Sequence, residues 1–164
     1  IALDPLEGTT ITAKGMGNAM TVIAMAEKGG FLNAPDVYMD KIAVGGGLPE
    51  GVVDLDDTPA SNIRNLARAR KMAVQDVVVC ILDRPRHHDM IRAVRDTGAR
   101  IRLIQDGDVS AVIATAQPLS GIDMYMGRGG APEGVLAAAA LRCIGGQIQG
   151  RLVFPEEEQK TRAA

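Results

Sequence analysis

The sequence of 164 residues has few aromatic residues, little net charge and no hydrophobic run long enough to cross a membrane. It contains no Trp, two Tyr and two Phe, so aromatic platforms for stacking nucleic-acid bases are not expected. A net charge of −2 also argues against nucleic acid held by an excess of positive charge. Gly, Asp or Arg interrupts every apolar stretch before it reaches about 18 residues. We therefore expect neither nucleic acid nor a membrane as a partner.

Cysteine is also scarce, with two residues and no C-x-x-C spacing. Cys80 lies in an apolar run and Cys143 in an Ala-rich and Leu-rich stretch, so both are predicted to be buried thiols. The sequence opens on a strand-like segment with neither an initiator Met nor a predicted signal peptide. We expect a cytoplasmic protein, of which this chain is a middle portion.

Hydrophobic residues make up 46% and charged residues 23%, as in globular proteins. In the second half, apolar runs of strand length alternate with segments of helical period. Strands are predicted at 77–82, 101–105, 122–126 and 147–153, and helices at 88–97, 109–116 and 133–144. This alternation indicates a parallel sheet with right-handed crossovers.

The first half is less regular, with a strand predicted at 20–26 and a helix at 62–72 that has Ser61 as its N-cap. We predict an α/β protein with an α+β first half and a parallel-sheet second half. Residues 1–60 would form the first layer, which carries a metal motif, and residues 61–153 would form the second layer, which carries substrate loops. Residues 154–164 would be a charged, frayed tail.

Charged or glycine-rich loops follow three predicted strands, at 83–86, 106–108 and 127–134. Because the carboxyl ends of parallel strands meet at one edge, these loops are expected to form a ligand site. The glycine-rich segment before the predicted helix at 133–144 can bind an anion with help from Arg128. The alternative, which the adjacent Arg128 makes the less favoured one, is a helix-entry turn with Pro132 and Glu133 in the first turn.

A second candidate site lies near the start of the chain, where Asp4 and Glu7 stand three residues apart on a predicted turn. Hard carboxylate oxygens in a short turn suit Mg²⁺ or Mn²⁺. The alternative is an ordinary Asx turn. His87 and His88 point in different directions on a helix, so they are predicted to be cap or surface residues rather than a metal site.

Five motifs carry a family resemblance. They are Asp-Pro-Leu-Glu-Gly-Thr at 4–9, Asn-Ala-Pro-Asp-Val-Tyr-Met at 33–39, Arg-Pro-Arg-His at 84–87, Asp-Gly-Asp at 106–108 and Gly-Gly-Ala-Pro-Glu-Gly at 129–134. With these motifs the sequence resembles the class II fructose-1,6-bisphosphatases, including dual fructose-1,6-/sedoheptulose-1,7-bisphosphatases, from residue 1 to about residue 153. The first motif is shared with the wider lithium-sensitive, metal-dependent sugar phosphatases.

The resemblance implies a layered sugar-phosphatase fold, present here as an incomplete middle portion, with Mg²⁺ or Mn²⁺ as cofactor. It implies that Asp4, Glu7 and Glu133 bind metal and that Thr9 is catalytic and orients the attacking water. The residues that it implies for binding a sugar bisphosphate are Gly8, Thr9, Tyr38, Arg84, Pro85, Arg86, Asp106, Gly107, Asp108 and Gly130. A phosphate role for Arg128 is inferred from its charge and position alone.

The implied activity is hydrolysis of the 1-phosphate of fructose 1,6-bisphosphate in carbohydrate metabolism, by a homo-oligomer that is a dimer or a tetramer. Sedoheptulose 1,7-bisphosphate is a possible second substrate. Family members carry two further metal-binding acids upstream of the first motif, and this sequence starts after that position. Two alternatives stay open, namely an inositol- or nucleotide-phosphate phosphatase and an inactive sugar-phosphate-binding protein.

Overall fold

The computed structural model describes residues 1–154, so all but the first residue of the predicted charged tail lies outside the described residues. The strands are β1 Ala2–Glu7, β2 Met20–Ala24, β3 Tyr38–Val44, β4 Val78–Leu82, β5 Arg100–Ile104, β6 Met124–Gly130 and β7 Gln147–Val153. The helices are α1 Thr9–Ala13, α2 Pro59–Arg70, α3 His88–Asp96, α4 Asp108–Ala114 and α5 Ala131–Ile144. Short 3₁₀ turns at Val74–Asp76 and Pro85–His87 precede β4 and α3.

Two sheets organise the described residues: an antiparallel pair of β1 and β2, and a five-stranded sheet of order β5-β4-β6-β3-β7. β4 pairs in parallel with both β5 and β6, whereas β3 is antiparallel to both of its neighbours, β6 and β7. The α/β class predicted from the sequence is confirmed. The prediction of a parallel sheet is wrong at β3, a strand from the first half of the chain that the sequence reading missed.

Alternating side chains of the central strands enter two apolar cores on opposite faces of the sheet. On one face, Val79 and Ile81 of β4 pack with the buried side of α2 and α3. On the other face, Cys80 of β4 and Tyr125 of β6 pack with α4 and α5. The larger sheet is therefore the middle layer of three.

The start of α2 differs from the prediction. The helix begins at Pro59, and the side-chain oxygen of Thr58 accepts a hydrogen bond from the Ser61 N–H at 3.2 Å. Thr58 is thus the N-cap, and the prediction of Ser61 is wrong. Proline is favoured in the first turn because its missing N–H would have no partner there.

The glycine-rich segment is another correction, because residues 127–130 belong to β6 instead of a loop. They pair with β3 throughout, from Lys41 opposite Gly127 to Tyr38 opposite Gly130. A Cβ on Gly129 would overlap Asp108 Oδ2 and lie 3.0 Å from Lys41 Nζ. Glycine is needed here because polar side chains occupy the space that another residue's Cβ would fill.

The Asp4–Glu7 segment lies inside β1, where the prediction had placed a turn after a strand. The pairing register with β2 shifts between Asp4 and Glu7. Asp4 Oδ1 accepts a hydrogen bond from the Leu6 N–H at 3.0 Å, which is the Asx-turn contact that the sequence left as an alternative. Glu7 is the last residue of the strand, and Asp4 lies three residues before it.

Cys80 is buried, as predicted, but Cys143 is exposed, so that prediction is wrong. Cys143 lies about half a helical turn from the buried Leu141 and therefore on the opposite face of α5. Among residues 1–154, no helix combines the length and the apolar character that a membrane span requires.

Candidate active site

A cleft of about 380 Å³ opens at the edge of the sheet where β4, β5 and β6 end. Eleven residues that the sequence singled out line it together: Asp4, Glu7, Gly8, Thr9, Tyr38, Arg84, Arg86, Asp106, Asp108, Gly130 and Glu133. They come from segments up to 129 residues apart in the sequence. The fold therefore brings the predicted loops to one place.

The topology of the sheet explains this convergence. The chain leaves β4 through α3 on one face of the sheet and leaves β6 through α5 on the other face. Neighbouring parallel strands whose connections depart to opposite faces leave a crevice at their carboxyl ends, where open α/β sheets bind ligands. β3 runs the other way, so its first residue, Tyr38, reaches the same edge.

Glu7 ends β1 and is 4% exposed. Its pKa is raised from 4.5 to about 7, mainly by burial and also by the nearby carboxylates of Asp108, Asp106 and Asp4, against a lowering by the Val109 backbone N–H. Within the described residues, the buried Oε2 atom of Glu7 has no hydrogen-bond partner. An unpaired buried carboxylate oxygen is costly, so this position favours a cation or a proton.

Glu133 stands in the first turn of α5, where an acidic side chain is stabilised by the helix dipole. Its Oε2 atom is likewise buried without a hydrogen-bond partner in the part of the chain that the structure describes. A Cβ on Gly130 would overlap this oxygen, so glycine at residue 130 provides the space that the carboxylate occupies. Two such carboxylates thus line the same cleft.

Asp108 lines the cleft, and its side chain is bound by two buried residues, Lys41 and Tyr125. Its Oδ2 atom pairs with the ammonium group of Lys41 and lies 3.5 Å from the Tyr125 hydroxyl, which donates to it. Lys41 Nζ also donates to the Gly130 carbonyl at 3.1 Å. The side chains of Lys41 and Asp108 are 1% and 8% exposed, so this is a buried ion pair.

Asp106 joins the loop after β5 to the start of α1. Its Oδ2 atom accepts a hydrogen bond from the Thr10 N–H at 3.0 Å. Gly8, the N-cap of α1, has a φ of 95° and no side chain to cap the helix, so Asp106 takes that role from another loop. This contact fixes Thr9, whose side chain is exposed, at the mouth of the cleft.

Two arginines from the segment after β4 form the basic side of the cleft. The Arg86 guanidinium carbon lies 4.9 Å from the centre of the Tyr38 ring, a cation–π contact. Arg86 Nε and Nη2 both donate to the Arg128 carbonyl, at 3.1 and 2.8 Å. Arg84 donates to the Asp83 carbonyl at 3.1 Å. Arginine is suited to bidentate contact with a phosphate.

The charges that line the cleft do not balance. Five carboxylates, those of Asp4, Glu7, Asp106, Asp108 and Glu133, face two guanidinium groups. A phosphorylated ligand brings further negative charge, about −1.5 to −2 for each ester at neutral pH. The arginines alone therefore cannot neutralise a bisphosphate among these carboxylates, and a bound cation would.

Comparison with known proteins identifies the family of the chain. The family described as "Bacterial fructose-1,6-bisphosphatase, glpX-encoded" matches residues 1–164. The chain belongs to this family. It is 48% identical over 157 residues to a protein of Synechococcus sp. (strain JA-3-3Ab) and 46% identical over 161 residues to one of Synechocystis sp. (strain PCC 6803). Both relatives are named D-fructose 1,6-bisphosphatase class 2/sedoheptulose 1,7-bisphosphatase.

These alignments cover 96% and 98% of this chain but 45% and 46% of the two relatives. The chain thus spans about half the length of the curated relatives that it matches. The resemblance noted from the five motifs is confirmed at the level of the family.

Three predicted site residues are not among those that line the cleft. Pro85 starts the 3₁₀ turn between Arg84 and Arg86. Gly107 is the N-cap of α4, and a Cβ there would lie 3.7 Å from Glu7 Oε2. The Arg128 guanidinium is bound to both carboxylate oxygens of Asp40, at 2.7 and 2.9 Å. We therefore leave Arg128 out of the proposed phosphate ligands.

The residues of the cleft fit a hard divalent cation in their donor chemistry. Glu7 and Glu133 each offer a carboxylate oxygen that is buried and unpartnered among residues 1–154. A cation bound there would remove the cost of burying these oxygens. Within the same residues, no three His, Cys, Asp or Glu side chains converge as a ready metal site. The chain therefore supplies separate carboxylate ligands, with Asp4 at the rim.

Sequence reasoning missed Lys41 and misread His87. His87 is the N-cap residue of α3, which is one of its two predicted roles, but its side chain makes no capping hydrogen bond. It is 2% exposed, so the surface alternative is wrong for His87, whereas the neighbouring His88 is exposed as expected. A Lys next to Asp40 and followed by the apolar residues of β3 was the available signal for Lys41, because a buried Lys needs an acidic partner. No comparable signal marked His87.

Proposed function

We propose that this chain carries the active site of a metal-dependent phosphatase that removes the 1-phosphate of fructose 1,6-bisphosphate. Sedoheptulose 1,7-bisphosphate is proposed as a second substrate. One observation carries the proposal: Glu7 and Glu133, whose Oε2 atoms are buried without a hydrogen-bond partner among residues 1–154, line the same cleft as the arginines of the segment after β4. That combination suits a phosphorylated ligand bound together with a divalent cation. The names of the two relatives support the choice of substrate.

In this proposal Glu7 and Glu133 hold the cation, with Asp4 as a further ligand from the irregular end of β1. When bound, Mg²⁺ or Mn²⁺ supplies charge neutralisation at the phosphoryl group and lowers the pKa of water. The Thr9 hydroxyl, at the first position of α1, positions the attacking water in line with the leaving sugar oxygen.

The remaining residues of the cleft bind the sugar bisphosphate. Arg84 and Arg86 hold the phosphate that is not transferred, and the Arg86 guanidinium lies over the Tyr38 ring. Asp106 and Asp108 have the wrong charge for phosphate, so we assign them to sugar hydroxyls, from which carboxylates accept hydrogen bonds. The described hydrogen bonds to Asp108 end on Oδ2, so Oδ1 is the atom that would accept from the sugar.

The test compares Glu133→Gln with Thr9→Ala in the complete gene product, with turnover measured while Mg²⁺ or Mn²⁺ is titrated. Glu133→Gln should lower kcat by about 100-fold or more and raise the metal concentration needed for half activity, because a ligand is lost. Thr9→Ala should lower kcat with an unchanged metal requirement. An unchanged metal titration for Glu133→Gln would show that Glu133 only begins α5 and would refute the shared site.

A panel of substrates tests the choice of ligand. Fructose 1,6-bisphosphate should be hydrolysed in preference to inositol monophosphate and to nucleotide 3′-phosphates, because the arginines provide a second phosphate site. Equal kcat/KM for singly and doubly phosphorylated substrates would instead favour a general phosphomonoesterase. Binding of the bisphosphate without turnover at any metal concentration would favour a sugar-phosphate-binding protein.

A further inference from the structure

We propose that His87 is a positioning residue for Arg86 and acts through the backbone of Arg128. The imidazole and the guanidinium bind the two polar groups of the same residue, its N–H and its carbonyl. The inference rests on the proposed function, in which Arg86 holds a phosphate of the substrate. It adds a residue that does not line the cleft and that the sequence reading had set aside.

Strand β6 extends beyond the residues at which it pairs with β4. β4 pairs with β6 at Met124 and Tyr125, but β6 continues to Gly130. Beyond Tyr125, the side of β6 that faces β4 therefore has backbone groups without a strand partner. The 3₁₀ turn after β4 supplies partners through side chains, since the Arg128 N–H donates to His87 Nε2 at 2.8 Å.

The same turn satisfies the other backbone group of Arg128. Arg86 Nε and Nη2 donate to the Arg128 carbonyl at 3.1 and 2.8 Å, so this carbonyl fixes the plane of the guanidinium. Among the described residues, Arg86 Nη1 makes no hydrogen bond, and we assign this group to the phosphate. A shift of the Arg128 peptide would therefore move the Arg86 guanidinium as well.

The protonation state of His87 suits this role. Its Nδ1 atom lies 2.8 Å from the Leu82 carbonyl, which can only accept, so Nδ1 carries the proton and Nε2 is an acceptor. Burial lowers the pKa of His87, with smaller lowering effects from the Arg86 and Arg128 charges and an opposing effect from the hydrogen bond to the Leu82 carbonyl, a direction that favours the neutral ring of this geometry. The imidazole thus bridges the end of β4 to the Arg128 peptide.

The side chain of Arg128 is anchored as well. Both oxygens of Asp40, directly opposite on β3, accept hydrogen bonds from its guanidinium. The Arg128 peptide is therefore held from both sides, by β3 through Asp40 and by the turn after β4 through His87. Arg86 is bound to a peptide that has little freedom to move, and this preorganises its contact with a ligand.

Two substitutions separate the two hydrogen bonds of His87. In His87→Asn the amide can still donate to the Leu82 carbonyl but is too short to reach the Arg128 N–H. In His87→Gln the longer amide places an oxygen near the former position of Nε2 and keeps an acceptor there. His88→Gln, at the exposed neighbouring histidine, is the matched control.

The readouts are kcat and KM for fructose 1,6-bisphosphate in the complete gene product, with thermal unfolding measured for each variant. We expect His87→Asn to raise KM roughly three- to thirty-fold with a smaller change in kcat. His87→Gln and His88→Gln should stay within about threefold of the parent, a range set by such coupling energies. With Arg86→Ala already present, His87→Asn should change KM no further, because its effect passes through Arg86.

A KM increase of equal size with and without Arg86→Ala would overturn the positioning role and leave a merely structural histidine. If Arg86→Ala alone leaves KM unchanged while hydrolysis persists, the phosphate assignment of Arg86 fails, and the role of His87 fails with it. Absence of hydrolysis in the parent protein under all metal conditions would instead refute the proposed function.

A second measurement leaves His87 intact and covers the case in which the Asn variant does not fold. Amide hydrogen exchange at Arg128 should slow when fructose 1,6-bisphosphate binds the parent protein, because the ligand immobilises Arg86 on the Arg128 carbonyl. The slowing should be absent in Arg86→Ala. Equal exchange with and without ligand in the parent would refute the coupling.

Discussion

The buried ion pair of Lys41 and Asp108 offers the sharpest test of how the core supports the cleft. Asp108→Leu removes the carboxylate and leaves the Lys41 ammonium, 1% exposed, with the Gly130 carbonyl as its neutral partner. Breaking a buried pair by removing one partner costs about 3–5 kcal/mol, because the other charge stays desolvated. The double variant Lys41→Met/Asp108→Leu removes both charges and should lie within about 1 kcal/mol of the parent.

The assay is equilibrium unfolding in urea, followed by circular dichroism. With a slope of about 2 kcal/mol per molar urea, a loss of 3–5 kcal/mol lowers the midpoint by about 1.5–2.5 M. As a control, Asp56→Leu breaks the exposed pair with Arg151, whose side chains are 77% and 54% exposed. That change should cost less than about 1 kcal/mol.

Two results would refute this reasoning. A loss below about 1 kcal/mol for Asp108→Leu would mean that water reaches the ammonium and that the pair contributes as little as a surface pair. A double variant that is less stable than either single variant would mean that the loss comes from packing instead of an uncompensated charge. The expected pattern, a large single effect that the second substitution reverses, is specific to a buried charge.

The remaining predictions concern a glycine, a carboxylate and a helix cap. Gly129→Ala should destabilise the protein by about 1–3 kcal/mol in urea unfolding, because its Cβ would overlap Asp108 Oδ2, whereas Gly17→Ala, which meets open space, should not. Because folding raises the pKa of Glu7 from 4.5 to about 7, its contribution to stability is fully present below pH 4.5 and is lost as pH rises through 7. The Tm measured with chelator present should therefore fall over this pH range, and Glu7→Gln should flatten the fall. Thr58→Ala should cost about 1 kcal/mol in the same unfolding assay, and an unchanged midpoint would show that its hydrogen bond to Ser61 does not cap α2.

The sequence by itself determined most elements of the second half and the location of the candidate site. Val78–Leu82 and Arg100–Ile104 are apolar or alternating runs of strand length, and His88–Asp96 has one apolar face, so local pattern was sufficient. Parallel strands end at one edge, which is why Arg86 and Asp106 could be placed in one cleft from their positions after strands.

Long-range pairing decided the elements that the sequence reading missed. β3 carries Asp40 and Lys41 within an apolar run, and its strand form depends on β6 and β7 on either side. Residues 127–130 contain three glycines, which disfavour strands in isolation. They become strand because β3 pairs with them and because Asp108, Lys41 and His87 fill the space that their missing side chains leave.

Burial of single side chains was likewise decided by the tertiary structure. His87 follows a strand in a charged motif, and only the extension of β6 past β4 turns it into a buried acceptor for the Arg128 N–H. Cys143 shares an apolar helix with Leu141 but faces away from the sheet. Local sequence sets the period of a helix or strand, whereas the face that is buried depends on what the rest of the chain packs against it.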